Sequence, residues 1–196
     1  MILNCFYQNL IMKIIITGTP GTGKTEVSKV LAKKLKANLI NVNELIDKYK
    51  FFRGIDRADN AKIINLKELE DYLRNHISSE ESFVIESHLL CELDLDVDYV
   101  IILRTHPNIL RKRLSKRNYS KEKIESNISC EILDYCLVKS ELLYKKIFEI
   151  NTTNKKSLDV ANEIIEVIKG KKKTKHIDWS KKIFNDKLNL KKLKDL

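Results

Sequence analysis

The stretch "GTPGTGKT" at residues 18–25 places three glycines, a lysine and a threonine at fixed spacing. Glycines accept backbone torsions that side chains would block, so the N–H groups of such a loop can converge on phosphates. The ammonium of Lys24 can reach the β- and γ-phosphates of a nucleotide, and the hydroxyl of Thr25 can ligate Mg²⁺. The apolar run "KIIIT" precedes the stretch and a helical pattern follows it, which is the context that a P-loop requires. The predicted phosphate site is formed by Gly18, Gly21, Gly23, Lys24 and Thr25.

A carboxylate follows a second apolar run, "FVIESH", in which Glu86 ends the run and His88 comes two residues later. In P-loop proteins a carboxylate at the end of a neighbouring strand holds Mg²⁺, often through water. Glu86 is therefore the candidate that organises magnesium together with Thr25. His88 could polarise a water or orient Glu86, or it could simply close the strand.

Four arginines occur in the segment "LRTHPNILRKRLSKRNYSKEKI", namely Arg104, Arg111, Arg113 and Arg117. Phosphoryl transfer needs positive charge over the phosphate oxygens, and guanidinium groups supply it in a fixed fork. Arg113 and Arg117 are four residues apart, so they share a face if the helix that Pro107 can open runs that far. We expect this pair to contact the phosphoryl group from a small lid. The alternative is an exposed basic helix.

Short apolar strands alternate with helical patterns along the chain. Runs such as "IIIT" and "VIIL" are apolar on both faces, which is typical of parallel strands covered by helices on each side. The predicted strands are 13–17, 38–42, 82–87, 98–104 and 147–153. Predicted helices follow the glycine loop and cover 66–77, 107–113, 157–169 and, as one long helix, 120–146. This order predicts an α/β protein with a five-stranded parallel sheet flanked by helices.

Composition narrows the class of protein. The chain has 196 residues, enough for one domain, and its four cysteines (Cys5, Cys91, Cys130 and Cys136) form no C-x-x-C pair. Such spacing argues against a disulfide framework and favours a reducing cytoplasm. No apolar run approaches the roughly 20 residues that span a bilayer, so we expect no membrane contact.

The net charge of +10 is unevenly distributed. We expect an N-terminal extension at 1–11, a core at 12–170 and a basic tail at 171–196, which holds ten lysines against three aspartates. A tail of this kind either attracts phosphate backbones or is a solvated, lysine-rich helix.

Taken together, these motifs resemble the small adenylate-kinase-like family of archaea and the eukaryotic nucleus. The resemblance rests on "ITGTPGTGKT", "LINVNEL", "VIESHL", the segment 100–132 and the tail element "IDWS". It implies the P-loop NTPase fold, with a nucleoside monophosphate (NMP) binding region at about 41–65 and a short lid at about 116–126. It also implies NMP kinase and ATPase activity that serve late maturation of the small ribosomal subunit.

The resemblance assigns roles by position. ATP would be contacted by Gly18, Gly21, Thr22, Gly23, Lys24, Thr25, Glu26 and Arg117. Catalysis would rest on Lys24, Glu86, His88, Arg113 and Arg117, with Mg²⁺ on Thr25 and Glu86. Implied partners are AMP or another NMP, a platform ribosomal protein of the small subunit, and pre-small-subunit rRNA.

Two departures leave alternatives open. The family's common aspartate-x-histidine motif is here Glu86-Ser87-His88, and the NMP region is less acidic and contains Arg53 and Arg57. These arginines either serve the acceptor phosphate or lie on the surface. One competing function is an ATPase assembly factor with a negligible kinase role. Another is a small P-loop kinase with a metabolite acceptor, for which Asp47, Asp56 or Asp59 could supply a base.

Overall fold

The computed structural model describes residues 11–57, 61–77, 81–117 and 119–181. Seven strands lie within these ranges. They are β1 (Lys13–Thr17), β2 (Asn38–Asn41), β3 (Phe52–Ile55), β4 (Lys62–Ile64), β5 (Phe83–Glu86), β6 (Tyr99–Arg104) and β7 (Ile147–Asn151). Five of them form a parallel sheet in the order β2-β5-β1-β6-β7, and β3 and β4 form a separate antiparallel hairpin. The predicted five-stranded parallel sheet is confirmed.

The same ranges contain seven α-helices and a short 3₁₀ turn at Leu89–Glu92. The helices are α1 (Lys24–Leu35), α2 (Val42–Tyr49), α3 (Leu66–His76), α4 (Pro107–Ser115), α5 (Lys121–Ile132), α6 (Tyr135–Glu141) and α7 (Ser157–Ile168). The second predicted strand is one residue too long, because the Asn41 side chain accepts hydrogen bonds from the N–H groups of Asn43 and Glu44 and so begins α2 at Val42.

The prediction of one long helix at 120–146 is wrong. Helix α5 ends at Ile132, and α6 begins at Tyr135 and ends at Glu141. Between α5 and α6, Asp134 has a left-handed backbone, with φ 56° and ψ 29°. Its carboxylate pairs with the guanidinium of Arg104. This partly buried ion pair lies at a turn whose residue type tolerates the left-handed region, which helical periodicity does not reveal.

Both faces of the sheet are covered by apolar residues, as the continuous apolar strands predict. Ile15 points into a core that α2 and α3 close with Ile46 and Leu69. Its neighbours Ile14 and Ile16 point to the opposite core, which residues of α1 and α7 close. The sheet is therefore the middle of three layers.

The register of the sheet positions the functional residues. Glu86 at the end of β5 lies beside Ile16 of β1 and Asn41 of β2. The carboxyl ends of β1, β5 and β6 meet at one edge, so the glycine loop after β1 and the carboxylate that ends β5 come together there. Ligands bind at this edge in open parallel α/β sheets.

The chain returns to the core after Gly170. Trp179 is 1% exposed, and His176 lies 2.9 Å from a carboxylate oxygen of Glu149. The first part of the basic tail is thus packed on the core. Most of the N-terminal extension, residues 182–196, Cys5 and Asp59 lie outside the described residues.

Two further findings concern cysteines and membranes. Cys91, Cys130 and Cys136 are free thiols. Within the described ranges, none of the helices combines the length and apolar character needed to cross a membrane.

Candidate active site

The glycine loop joins β1 to α1 and depends on glycine at two positions in particular. Gly18 has φ 133°, and a Cβ there would lie 2.4 Å from the carbonyl oxygen of Leu103. Gly23 has φ 98° and precedes the first residue of α1, and a Cβ built on it meets nothing within 4 Å. The loop therefore packs against β6 on one side and leaves space at the positive end of α1 on the other, where phosphates bind.

Lys24 lies at the floor of this space. Its Nζ donates to the carbonyl oxygens of Gly18 at 2.8 Å and Thr19 at 3.1 Å. Burial lowers the pKa of Lys24 below its ordinary value, while the nearby Glu86 carboxylate acts in the opposite direction. An ammonium held by two neutral carbonyls in a buried site would gain from a phosphate partner.

Thr25 and Glu86 form the oxygen pair that the sequence predicts for magnesium. The Thr25 hydroxyl donates to Glu86 Oε1 at 3.0 Å. Mg²⁺ usually binds through one or two protein oxygens and completes its shell with water and substrate phosphates. This donor set beside the loop fits such an ion. Bound there, Mg²⁺ would neutralise charge on the phosphates.

His88 lies just beyond Glu86 and is solvent-accessible at the mouth of the site. Partial burial between protein walls, together with the charges of Lys24 and Lys123, lowers the pKa of His88 to about 4. The imidazole is therefore neutral near pH 7 and can orient a water or a carboxylate rather than supply positive charge.

The two predicted lid arginines occupy different places. Helix α4 ends at Ser115, so they do not share a helix face. Arg117 lines the pocket that also contains Lys24 and Glu86. The guanidinium of Arg113 donates to the carbonyl oxygens of Gly21 at 3.2 Å and Thr152 at 3.3 Å. Arg113 thus supports the loop from behind, and burial followed by the charge of Arg117 lowers its pKa.

Three adjoining pockets surround these residues. The central pocket, of about 340 Å³, contains Lys24, Thr25, Glu86, His88 and Arg117. It shares Gly21, Gly23, Glu26 and Arg117 with a second pocket of about 450 Å³, which Thr22 and Arg113 also line. It shares Pro20, Asn43, His88 and Tyr119 with a third pocket of about 550 Å³. A phosphate site between two larger pockets can hold a donor and an acceptor at the same time.

The third pocket is lined in part by residues of the predicted NMP-binding region at 41–65. Ile46, Ile64 and Leu89 give it an apolar wall, and Asp47 and Lys62 form an ion pair at its rim. The residues described as lining it do not include Arg53, Arg57 or Asp56, and all three are exposed. Arg53 donates instead to Asn65 at 3.1 Å.

Several site residues were missed by the sequence analysis. Tyr119 and Lys123 line the third pocket. Both lie inside the predicted lid segment at 116–126, and this position could have identified them as site residues. Asn43 also lines it, within the "LINVNEL" motif that carries part of the resemblance.

A buried cluster of charged residues lies next to the glycine loop and contains Arg104, another arginine of the segment noted in the sequence. Arg104 is 3% exposed at its side chain and pairs with Glu131, Asp134 and Glu149. Glu131 in turn accepts a 2.7 Å hydrogen bond from the Thr19 hydroxyl of the loop. Arg104 is therefore part of the support of the loop. The fourth arginine, Arg111, forms an exposed pair with Glu125.

Comparisons with known proteins find relatives over most of this chain. A family model described as "AAA domain" matches residues 14–134. A protein of Methanocaldococcus jannaschii named "Putative adenylate kinase" is 39% identical over 175 residues, covering 89% of this chain and 96% of the relative. A protein of the same name from Methanosarcina barkeri is 43% identical over 159 residues, covering 80% and 85%.

Solved structures match at the level of fold. Shikimate kinase from Acinetobacter baumannii has a TM-score of 0.59 at 17% identity, over 84% of this chain and 96% of that one. Shikimate kinase from Aquifex aeolicus has a TM-score of 0.55 at 14% identity, over 81% and 97%. These values show a P-loop kinase fold and nothing of the substrate. The chain belongs to the P-loop family that the AAA-domain model describes and, within it, to the group of the archaeal proteins named "Putative adenylate kinase".

Proposed function

We propose that this protein is a nucleoside monophosphate kinase that transfers the γ-phosphoryl group of ATP to AMP or a related monophosphate. The observation that carries the proposal is the central pocket with Lys24, Thr25, Glu86 and Arg117, which opens on either side into a pocket of several hundred cubic ångströms. An enzyme that joins two nucleotides through their phosphates needs this arrangement.

Catalysis in such a site is positional and electrostatic. Lys24 and Arg117 would stabilise the charge on the transferring group, and Arg113 would hold the loop through Gly21. An acceptor phosphate is already anionic, so no general base is required. The neutral His88 is suited to orienting Glu86 or a water.

The acceptor is proposed to lie in the third pocket, where Ile46, Ile64 and Leu89 offer an apolar surface to a base. Lys123 is the cation that we propose for the acceptor phosphate, because it lines this pocket and its charge reaches His88 at the border of the central pocket.

Lys24→Ala tests the proposal. It should abolish AMP-dependent turnover of ATP in a coupled assay, because the mutant lacks the ammonium at the phosphate site. Lys34→Ala, an exposed lysine of the same helix, is the matched control and should retain wild-type activity. Retained turnover in Lys24→Ala would refute the assignment. Higher turnover with shikimate than with AMP would favour the metabolite kinase, for which Asp47 of the acceptor pocket is the candidate base.

We propose ATP hydrolysis as a second activity of the same site. Glu86 and the neutral His88 both line the central pocket, where a water can take the place of the acceptor. ATP turnover without AMP, reduced in His88→Ala, would support it.

We further propose a role in late maturation of the small ribosomal subunit in the cytoplasm, with a platform ribosomal protein and pre-rRNA as partners. The resemblance and the basic tail support this role. Deleting 182–196 keeps the docked Trp179 and tests the lysines beyond it. Capture of pre-small-subunit particles should fall if this segment binds them, and unchanged capture would refute the role of the segment.

A further inference from the structure

The returning chain after Gly170 reaches the buried cluster of charged residues next to the glycine loop. The indole N–H of Trp179 donates to Glu131 Oε1 at 2.9 Å. The backbone N–H of Ile177 donates to Glu149 Oε1 at 3.2 Å, and His176 Nδ1 lies 2.9 Å from the same oxygen. The ring of His106, which precedes α4, meets the Trp179 ring edge-on at 5.3 Å between centroids. The segment 176–179 is thus held by specific polar contacts in addition to burial.

Glu131 links this segment to the phosphate loop. It is 2% exposed, and while its Oε1 accepts from Trp179, its Oε2 accepts from the Thr19 hydroxyl at 2.7 Å. The carbonyl oxygen of Thr19 accepts from Lys24 Nζ at 3.1 Å and from the Thr22 hydroxyl at 2.9 Å. Hydrogen bonds therefore connect the indole through the Glu131 carboxylate to the side chain of Thr19, and the backbone carbonyl of Thr19 connects to Lys24.

We propose that Trp179 is a positioning residue of the nucleotide site. Its indole N–H joins Arg104 Nε and the Thr105 N–H in holding Oε1 of Glu131, so that Oε2 remains on Thr19. That contact holds the loop in the conformation that receives the triphosphate. Thr19 lies in a loop, outside helix and strand. Its side-chain hydrogen bond therefore contributes more to its position than it would for a residue held by a helix or a sheet. Because coupling between two sites is reciprocal, ATP binding also favours the docked form of segment 176–179.

The competing explanation is that Trp179 merely fills space and stabilises the fold. A filler would change stability without selectively changing nucleotide affinity. A double-mutant cycle between Trp179 and Thr19 separates the two explanations, because both residues donate to the same carboxylate, that of Glu131.

The experiment uses the full chain. Trp179→Phe keeps an aromatic ring without the N–H donor, and Thr19→Val keeps the shape of threonine without the hydroxyl. Each should weaken ATP binding about three- to tenfold by titration calorimetry, since each removes one hydrogen bond to the Glu131 carboxylate. The double variant should bind ATP about as well as the weaker single variant. Leu73→Val, in the buried part of α3, is the control that lowers the thermal unfolding temperature without changing ATP affinity.

A second measurement needs no folded Trp179 variant. Trp179 is the single tryptophan of the chain, so its emission reports on this segment alone. ATP should change the emission of the wild type with the same half-saturation as calorimetry, and Thr19→Val should reduce the amplitude of that change.

The outcomes separate this inference from the proposed function, on which it rests. Unchanged ATP affinity in a folded Trp179→Phe, additive effects in the double variant, or constant emission at saturating ATP would each overturn the inference while the kinase assignment stands. A wild-type protein that binds no ATP would overturn both.

Discussion

Arg104→Met is the substitution for which the structure supports the most quantitative prediction. The guanidinium is 3% exposed and faces three carboxylates, those of Glu131, Asp134 and Glu149. Its Nε donates to Oε1 of Glu131 at 3.0 Å, and its Nη2 donates to the backbone carbonyl oxygen of Glu131 at 2.9 Å. Burial by itself lowers the pKa of Arg104, but the surrounding carboxylates outweigh it and the pKa is raised. Removing the cation would leave buried negative charges without compensation.

The expected cost follows from that burial. Removing one partner of a buried ion pair costs about 3–5 kcal/mol. For a domain of this size each kcal/mol corresponds to roughly 2–4 °C in the unfolding temperature, so Arg104→Met should lower it by about 6–20 °C. Arg104→Lys keeps the charge but loses the planar fork, and it should fall between the wild type and Arg104→Met.

Urea unfolding and thermal unfolding at neutral pH measure this loss. Arg111→Met is the matched control, because Arg111 also pairs with a carboxylate but is 44% exposed, and its partner Glu125 is 48% exposed. An exposed pair contributes less than about 1 kcal/mol. Equal losses in the two methionine variants, or a loss below about 1 kcal/mol in Arg104→Met, would refute the structural role of the buried cluster.

Three further predictions concern the site. Glu86→Gln can still accept the Thr25 hydrogen bond but lacks the negative charge. The Mg²⁺ concentration for half-maximal rate should therefore rise on the order of tenfold. A Mg²⁺ titration of the variant that coincides with that of the wild type would exclude a metal role of Glu86. Lys123→Met should raise the KM for AMP about tenfold and leave the KM for ATP unchanged. Equal increases in the two KM values would argue against a position of Lys123 beside the acceptor. Because the pKa of His88 is lowered to about 4 from 6.5, the unfolded chain binds its proton more readily. Wild-type stability should therefore decrease as the pH falls from about 6.5 towards 4, and His88→Asn should flatten that slope in urea unfolding; identical slopes would contradict the assigned pKa.

Local patterns predicted the glycine loop and the carboxylate at the end of β5, because each of these features depends on neighbours in the sequence. The glycine loop, Lys24 and Thr25 are contiguous, and Glu86 ends a strand that is recognisable by its apolar run. The same reasoning failed at Asp134. There the carboxylate responds to Arg104, thirty residues earlier in the chain, and not to helical spacing.

A parallel α/β sheet with a P-loop at its edge could be read from the amino-acid sequence, because apolar strand runs and glycine-dependent loop torsions are local properties. Only the packed chain shows that Arg117 lines the central pocket and that Arg113 donates to the carbonyl oxygen of Gly21, since α4 ends between them. It also brought Glu131 to Thr19, 112 residues away, and Trp179 to Glu131, a further 48. A buried carboxylate needs hydrogen-bond donors, and the donors around Glu131 come from distant parts of the chain. Such partners are brought together only by tertiary packing.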